Sequence, residues 1–261
     1  MSAAPTVTRS PVEPVLDDPE VIRFGLIALA TDLTSERDAW RILPPDRAAL
    51  HVARIPYENP TTPENLARTA PALTAAADLL VPGIALAAIC YSCTSASVEI
   101  GDAAVAGAIE AARPGVPVVT PPDAAIAAFA ALGVRRIALV TPYLPETTEP
   151  MAAYFARRGL DIVSAQCLGM SDDRDMARVS RTTILDAVAA ADVPEAEGVF
   201  LSCTALPAVG CIDEVEQRIG KPVVSSNQAS FWRMAQLAGL TPRPDAPGRL
   251  FRVAPPRDRA A

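Results

Sequence analysis

Short runs of Val, Ile, Leu and Ala alternate along the chain with longer Ala-rich stretches that carry polar residues at helical spacing. The apolar runs predict strands over Arg23 to Ala30, Leu50 to Ile55, Ala85 to Cys90, Pro117 to Val119, Arg136 to Thr141, Asp161 to Ala165, Gly198 to Leu201 and Pro222 to Val224. The intervening stretches predict helices over Pro63 to Leu80, Ser97 to Ala112, Ala124 to Leu132, Glu149 to Arg158, Thr182 to Ala191, Ile212 to Ile219 and Ser230 to Ala238. Strands that are apolar throughout and separated by helices imply parallel sheets covered on both faces, an α/β fold. The punctuation agrees. Thr62-Pro63-Glu64 offers a capping hydroxyl, a proline for the first turn and an early acid, and Gly133, Gly159, Gly220 and Gly239 stand where helices should stop.

The pattern occurs twice. AAICYSCTSAS leads through a helix to GVPVVTPPDAAIAAFAALGV, and GVFLSCTALPA leads through a helix to GKPVVSSNQASFWRMAQLAGL. In each, a buried strand ends in Ser-Cys-Thr, and a Pro-Val-Val strand follows after one helix. The repeat implies two pseudo-symmetric units with a cleft between them. We place a flexible N-terminal arm at 1–20, a first unit at 21–132 plus 226–253, a second at 133–225, and a flexible tail at 254–261. The Pro- and Arg-rich stretch from Thr241 to Ala261 is expected to pack loosely.

Charge and composition narrow the function. The 261 residues carry a net charge of −7, which disfavours phosphate backbones and hence nucleic acid as a partner. No apolar run reaches the ~18 to 20 residues of a membrane helix, and the first residues lack the basic and apolar regions of a signal peptide. A cytoplasmic protein with no membrane partner is expected. An odd count of 5 cysteines argues against a disulfide framework, and a single histidine, His51, excludes His-rich metal sites. His51 itself reads as an ordinary structural residue at a strand start. Trp40 and Trp232 read as core or interface aromatics. With no Gly-rich phosphate loop, neither a nucleotide, a metal nor any other cofactor is expected.

Cys93 and Cys203 carry the candidate chemistry. In open α/β sheets ligands bind beyond the carboxyl ends of the strands, where both thiols fall, each expected just before a helix. The positive end of a helix dipole and its unpaired N–H groups favour thiolate, the reactive form. Thr94, Ser95 and Thr204 add hydroxyl donors for a substrate carboxylate or a developing oxyanion. Two facing units would bring both thiols to one substrate, one taking a proton or adding to it while the other returns a proton. Cys90, Cys167 and Cys211 read instead as inert core cysteines. Asn227 and Gln228 read as turn residues after the last strand.

At these residues the chain resembles the aspartate/glutamate racemase superfamily, through the paired Ser-Cys-Thr turns, ALVTPYLPE and GKPVVSSNQAS. Within it the chain is most similar to the branch of maleate cis-trans isomerase and arylmalonate decarboxylase. The runs ALATDLTSERD, NPTTPENL, ICYSCTSASVEIGD and DDRDMARVS look like the ectoine-utilisation protein A group. The resemblance spans about residues 21 to 253. It implies two cysteines as acid/base or nucleophile, a small carboxylic acid as substrate, Tyr143 as a substrate-binding residue, and a homodimer. It also implies that a decarboxylase would keep only the counterpart of Cys203. Where maleate isomerases carry substrate-binding asparagines, this chain has Asp32 and Asp173. An ionised aspartate accepts hydrogen bonds and repels a second negative charge, so the exchange suits a substrate with a cationic or N–H end, such as an amino-acid derivative or a cyclic amidine. Either aspartate could instead cap a helix or lie exposed. The resulting reading is an isomerase, racemase or epimerase. A decarboxylase using Cys203 alone and a non-catalytic metabolite binder remain as alternatives.

Overall fold

A computed structural model describes residues 6–16 and 20–253. Its strands are β1 (Ile22–Leu29), β2 (Ala48–Ile55), β3 (Ala88–Ser92), β4 (Val118–Val119), β5 (Arg136–Thr141), β6 (Asp161–Cys167), β7 (Gly198–Leu201) and β8 (Val223–Ser225). The helices are α1 (Ser35–Ala39), α2 (Pro63–Ala67), α3 (Leu73–Asp78), α4 (Thr94–Ile100), α5 (Asp102–Glu110), α6 (Pro121–Leu132), α7 (Pro145–Arg157), α8 (Asp173–Met176), α9 (Arg181–Ala191), α10 (Ile212–Ile219) and α11 (Ser226–Leu237). Every expected strand is present.

The strands form two 4-stranded sheets, ordered β2-β1-β3-β4 and β6-β5-β7-β8, with every pairing parallel. The second order is the first shifted by one repeat, so the two α/β units share one topology. Their strands are apolar on both faces because both faces are covered. In β1, Phe24, Leu26 and Ala28 point into a core shared with Leu139 and Phe200 of the other sheet. The alternate residues Ile27 and Leu29 point outward against Leu73 and Ala77 of α3 and Val105 and Ile109 of α5. The helices after the fourth strand of each sheet, α6 and α11, pack on each other, and each also packs on β3 and β8. They fasten the two sheets together.

The cap signals hold. Thr62 Oγ1 accepts from Asn65 N at 3.4 Å, and Gly133 and Gly220 close α6 and α10 in the left-handed conformation. The structure differs from the sequence expectation where a single residue interrupts a helical run. The helix expected over Ser97 to Ala112 is two, α4 and α5, because Gly101 at φ 89° breaks it. The one expected over Pro63 to Leu80 breaks into α2, a 3₁₀ turn at Ala70–Ala72 containing Pro71, and α3. The loose packing expected from Thr241 onward is corrected for 241–253. Ala246 and Leu250 are fully buried, Gly248 N donates to Asp213 Oδ1 at 2.8 Å, and Arg249 N donates to Glu216 Oε2 at 2.9 Å. Two acids on α10 satisfy that segment's backbone, which composition alone does not reveal. The tail expected at 254–261 and parts of the arm, 1–5 and 17–19, lie outside the described residues; 6–16 is exposed and carries no helix or strand. Among the described residues no helix is long and apolar enough to cross a membrane.

Candidate functional site

The loops at the carboxyl ends of corresponding strands meet in pairs and line a partly open cavity of about 350 Å³. Leu29 ends β1 and Asp32 follows it, and Tyr143 follows β5. Tyr57, Thr61 and Leu66 follow β2, and Asp173 and Met176 follow β6. Cys93 and Ser95 follow β3, and Cys203, Thr204 and Ala205 follow β7. Both cysteines therefore line one cavity between the units, with Asp32, Ser95, Tyr143, Asp173 and Thr204 beside them. Thr94 points elsewhere: its Oγ1 donates to Ser226 Oγ at 2.8 Å.

The two cysteine turns differ. Cys93 has extended backbone, φ −150°, and α4 begins at the next residue. Its Sγ lies 3.8 Å from Ser95 Oγ and accepts from the N–H of Ala96. Cys203 was expected just before a helix, and this is corrected. The chain turns through Thr204 to Pro207, and α10 starts only at Ile212. Pro207 disfavours helical backbone at Leu206 and brings no N–H of its own. Cys203 instead adopts φ 110°, one of only two described non-glycine residues with positive φ. Its thiol accepts from the hydroxyl of Tyr143 and from the N–H groups of Ala205 and Leu206.

Burial outweighs those donors. Cys93 is pushed up to about 12 by burial, with the Ala96 N–H opposing and the Cys203 thiol adding to the rise. Cys203 is pushed up to about 11 by burial, against the Tyr143 hydroxyl and the two backbone donors. Asp173 raises both. The expectation that position before a helix would favour thiolate is not met: burial favours the thiol form of both sulfurs.

The two aspartates are held as acceptors. Asp173 Oδ1 accepts from Asn59 Nδ2 at 2.8 Å, and its Oδ2 accepts from Thr31 Oγ1. The helix cap at this point is Asp172, whose Oδ1 accepts from Arg174 N at 2.9 Å, which leaves Asp173 buried against the cavity. Asp32 serves twice. Its Oδ1 accepts from the N–H groups of Thr34 and Ser35 at 2.8 and 2.9 Å, opening α1, while the side chain lines the cavity. Burial raises its pKa, opposed first by the hydroxyl of Ser35. Among the described residues lining the cavity there is no Lys, Arg or His.

Sequence reasoning missed Tyr57 and Thr61. Tyr57 Oη donates to Thr61 Oγ1 at 3.0 Å, and Thr61 N donates to Ser171 O at 2.7 Å, joining the loop after β2 to the loop after β6. The repeat is the signal that points to them, since the loop after β6 carries Asp173 at the corresponding place. Asn227, read as a turn residue, is buried, and its Nδ2 donates to Asp38 Oδ2 at 3.0 Å and to Thr204 O at 2.9 Å. Gln228 does form the turn, as the third residue of a capping box with Ser225. His51 lies within β2, Cys90 is buried in the shared core, and Trp232 is buried while Trp40 is 38% exposed.

Comparison with known proteins agrees with this architecture. Residues 72–251 match the family described as arylmalonate decarboxylase. Arylmalonate decarboxylase of Bordetella bronchiseptica is 40% identical over 141 residues, a stretch covering 52% of this chain and 58% of that protein. Maleate isomerase of Nocardia farcinica is 26% identical over 244 residues, covering 88% of this chain and 95% of that one. A crystal structure of liganded arylmalonate decarboxylase, with one glycine-to-cysteine and one cysteine-to-serine exchange, superposes with a TM-score of 0.80 at 33% identity, covering 88% of this chain and 99% of that one. By the matched stretch, the shared fold and these similarities, the chain belongs to the arylmalonate decarboxylase family.

Proposed function

We propose that the chain is a cofactor-independent two-cysteine isomerase acting on a small carboxylic acid, either a racemase or epimerase or a cis-trans isomerase of the maleate-isomerase type. The observation that carries this reading is the pair of thiols from equivalent strand ends lining one cavity. In racemisation, the thiolate of one cysteine takes the proton α to the carboxylate. The electron pair moves into the carboxylate as an enediolate, and the thiol of the other cysteine protonates the opposite face. In cis-trans isomerisation, one sulfur adds to an alkene carbon and the neighbouring carbon gains a proton. Rotation about the new single bond and expulsion of the sulfur with loss of that proton complete the cycle. Ser95 and Tyr143 supply hydroxyls beside the reacting atoms, while the Thr204 hydroxyl donates to Ser92 O at 3.1 Å.

The substrate reading is an amino-acid-derived or ectoine-related acid with a cationic or N–H end, in keeping with likeness to the ectoine-utilisation group. Its support is electrostatic. Two buried carboxylates line the cavity with no basic side chain among the described lining residues to balance them. Asp173 also raises both thiols. A ligand that brings positive charge to Asp173 offsets that effect and favours thiolate only when the site is filled. A dianion such as maleate would do the reverse.

The test is deuterium exchange in D₂O with candidate acids. Entry of deuterium at one carbon is expected of a racemase or epimerase, and isomerised product without deuterium of the cis-trans route; either turnover should be abolished by Cys93→Ser and by Cys203→Ser in folded protein. Full exchange by either variant would remove the two-thiol mechanism. A second reading, a decarboxylase working through Cys203 alone, is favoured by the 40% identity to the Bordetella decarboxylase. It requires that Cys93→Ser still release CO₂.

A further inference from the structure

The left-handed backbone at Cys203 is costly for any residue with a Cβ and persists only where surrounding groups over-determine it. Four such groups are present, all from outside the turn. Cys203 N donates to Ser226 Oγ at 3.0 Å. Asn227 Nδ2 donates to Thr204 O at 2.9 Å. Thr34 Oγ1 donates to Ala205 O at 2.7 Å, and Thr204 Oγ1 donates to Ser92 O at 3.1 Å. Three consecutive residues are thus pinned to α11, to the loop before α1 and to the end of β3. Nothing comparable is required at Cys93, whose backbone is extended and is followed directly by a helix.

Ser226 stands at the centre of this frame. It is fully buried, and its Oγ accepts from Cys203 N and also from Thr94 Oγ1, next to Cys93. A hydroxyl oxygen has two lone pairs, and here each serves one cysteine turn. Its place is fixed by the capping box of Ser225 and Gln228, which starts α11 at this residue. Behind it, Asn227 is held by Asp38 Oδ2 at 3.0 Å.

We propose that Ser226, supported by Asn227, is a positioning residue that holds Cys203 in its left-handed conformation and ties its register to that of the Cys93 turn. It acts through the cysteine and does not line the substrate cavity. The frame aims the Cys203 thiol at the hydroxyl of Tyr143 and the N–H groups of Ala205 and Leu206. This inference rests on the reading of Cys203 as a reacting group, but its test needs no turnover, so the two can fail separately.

The test compares Cys203→Gly with Cys203→Ala, because glycine adopts positive φ without strain and alanine does not. With Ser226 present, the glycine variant is expected to melt about 3 °C above the alanine variant. In a Ser226→Ala background, where the backbone can relax, the gap should fall to less than half. Should Ser226→Ala not fold, Thr34→Val removes another restraint with little change of shape and should narrow the same gap. Alkylation by iodoacetamide, followed peptide by peptide, gives a readout that general loosening would not. In Ser226→Ala the pH profile of Cys203 is expected to move to higher pH, as its donors are lost, while that of Cys211 stays in place. An alanine variant at 203 as stable as the glycine variant would overturn the proposal. So would a gap of the same size with and without Ser226.

Discussion

The turns after β3 and β7 begin from the same three residues, Ser-Cys-Thr, and end in different geometries. Ser92-Cys93-Thr94 runs straight into α4 with an ordinary extended backbone at the cysteine. Ser202-Cys203-Thr204 reverses through positive φ, and its helix is delayed to Ile212. The buried acids behind them differ too. Behind the first turn, Ser35 Oγ links Ser92 Oγ at 2.8 Å to Asp32 Oδ2 at 2.5 Å. Behind the second, Asn227 links Thr204 O to Asp38. The two units share a sheet topology and a thiol, while each turn has its own support. The pair is equivalent in topology and unequal in mechanics.

The widest test of that inequality is catalytic. If both thiols share the chemistry, Cys93→Ser and Cys203→Ser each lower kcat by about 10³-fold or more, on the order of 4 kcal/mol of barrier, measured by isotope exchange or product formation. Retention of CO₂ release in Cys93→Ser alone would make the inequality complete.

The buried acid behind the second turn gives the next effect. Burial raises Asp38 to about 6, with the Asn227 amide, Arg37 and Arg41 opposing and Asp32 adding to the rise. Its Oδ1 has no hydrogen-bond partner, and the Arg41 guanidinium stands 3.8 Å away. Between its ordinary value and about 6 the folded chain binds the proton that the unfolded chain has released. The Asp38 contribution is therefore fully present at low pH and is lost as pH rises through about 6. Replacing it by Asn should stabilise the protein at neutral pH by up to about 3 kcal/mol and remove that pH dependence, as read by chemical denaturation at pH 5 and pH 8.

Smaller effects separate the two backbones. Relative to alanine, glycine at 203 should stabilise by about 1 kcal/mol, and glycine at 93 should destabilise by roughly 0.5 to 1 kcal/mol, because only the first site requires positive φ. The same sign at both sites would mean that the turns are mechanically alike. The smallest effect concerns what the two turns have in common. Asp173→Asn removes a charge that raises both thiols, so both should alkylate faster at a fixed pH near 9, measured by peptide mapping.

Much of the fold was legible because parallel strands buried on both faces leave continuous apolar runs. β5 and β7 match their expected bounds at both ends. The short helices α1 and α8 were not, since 5 and 4 residues are too few to show a helical period. The paired cysteines were legible from the repeated Ser-Cys-Thr. Their protonation was not, because burial is a property of packed neighbours and here exceeds the influence of the helix terminus. Tyr57 and Asn227 were missed or misread for a related reason. Each acts through partners far along the chain, Ser171 by way of Thr61 for the first and Asp38 for the second.

Two units of like topology need not be self-sufficient: Thr34 and Ser92, which restrain the Cys203 turn, belong to the N-terminal half, and Ser226 and Asn227 to α11 after β8. A fragment spanning 133–225, produced by itself, would lose every outside restraint on that turn. Its cysteine would settle into an ordinary backbone conformation, and only co-folding with the remaining chain could restore the original one. The symmetry of the two units is thus an obligation between them.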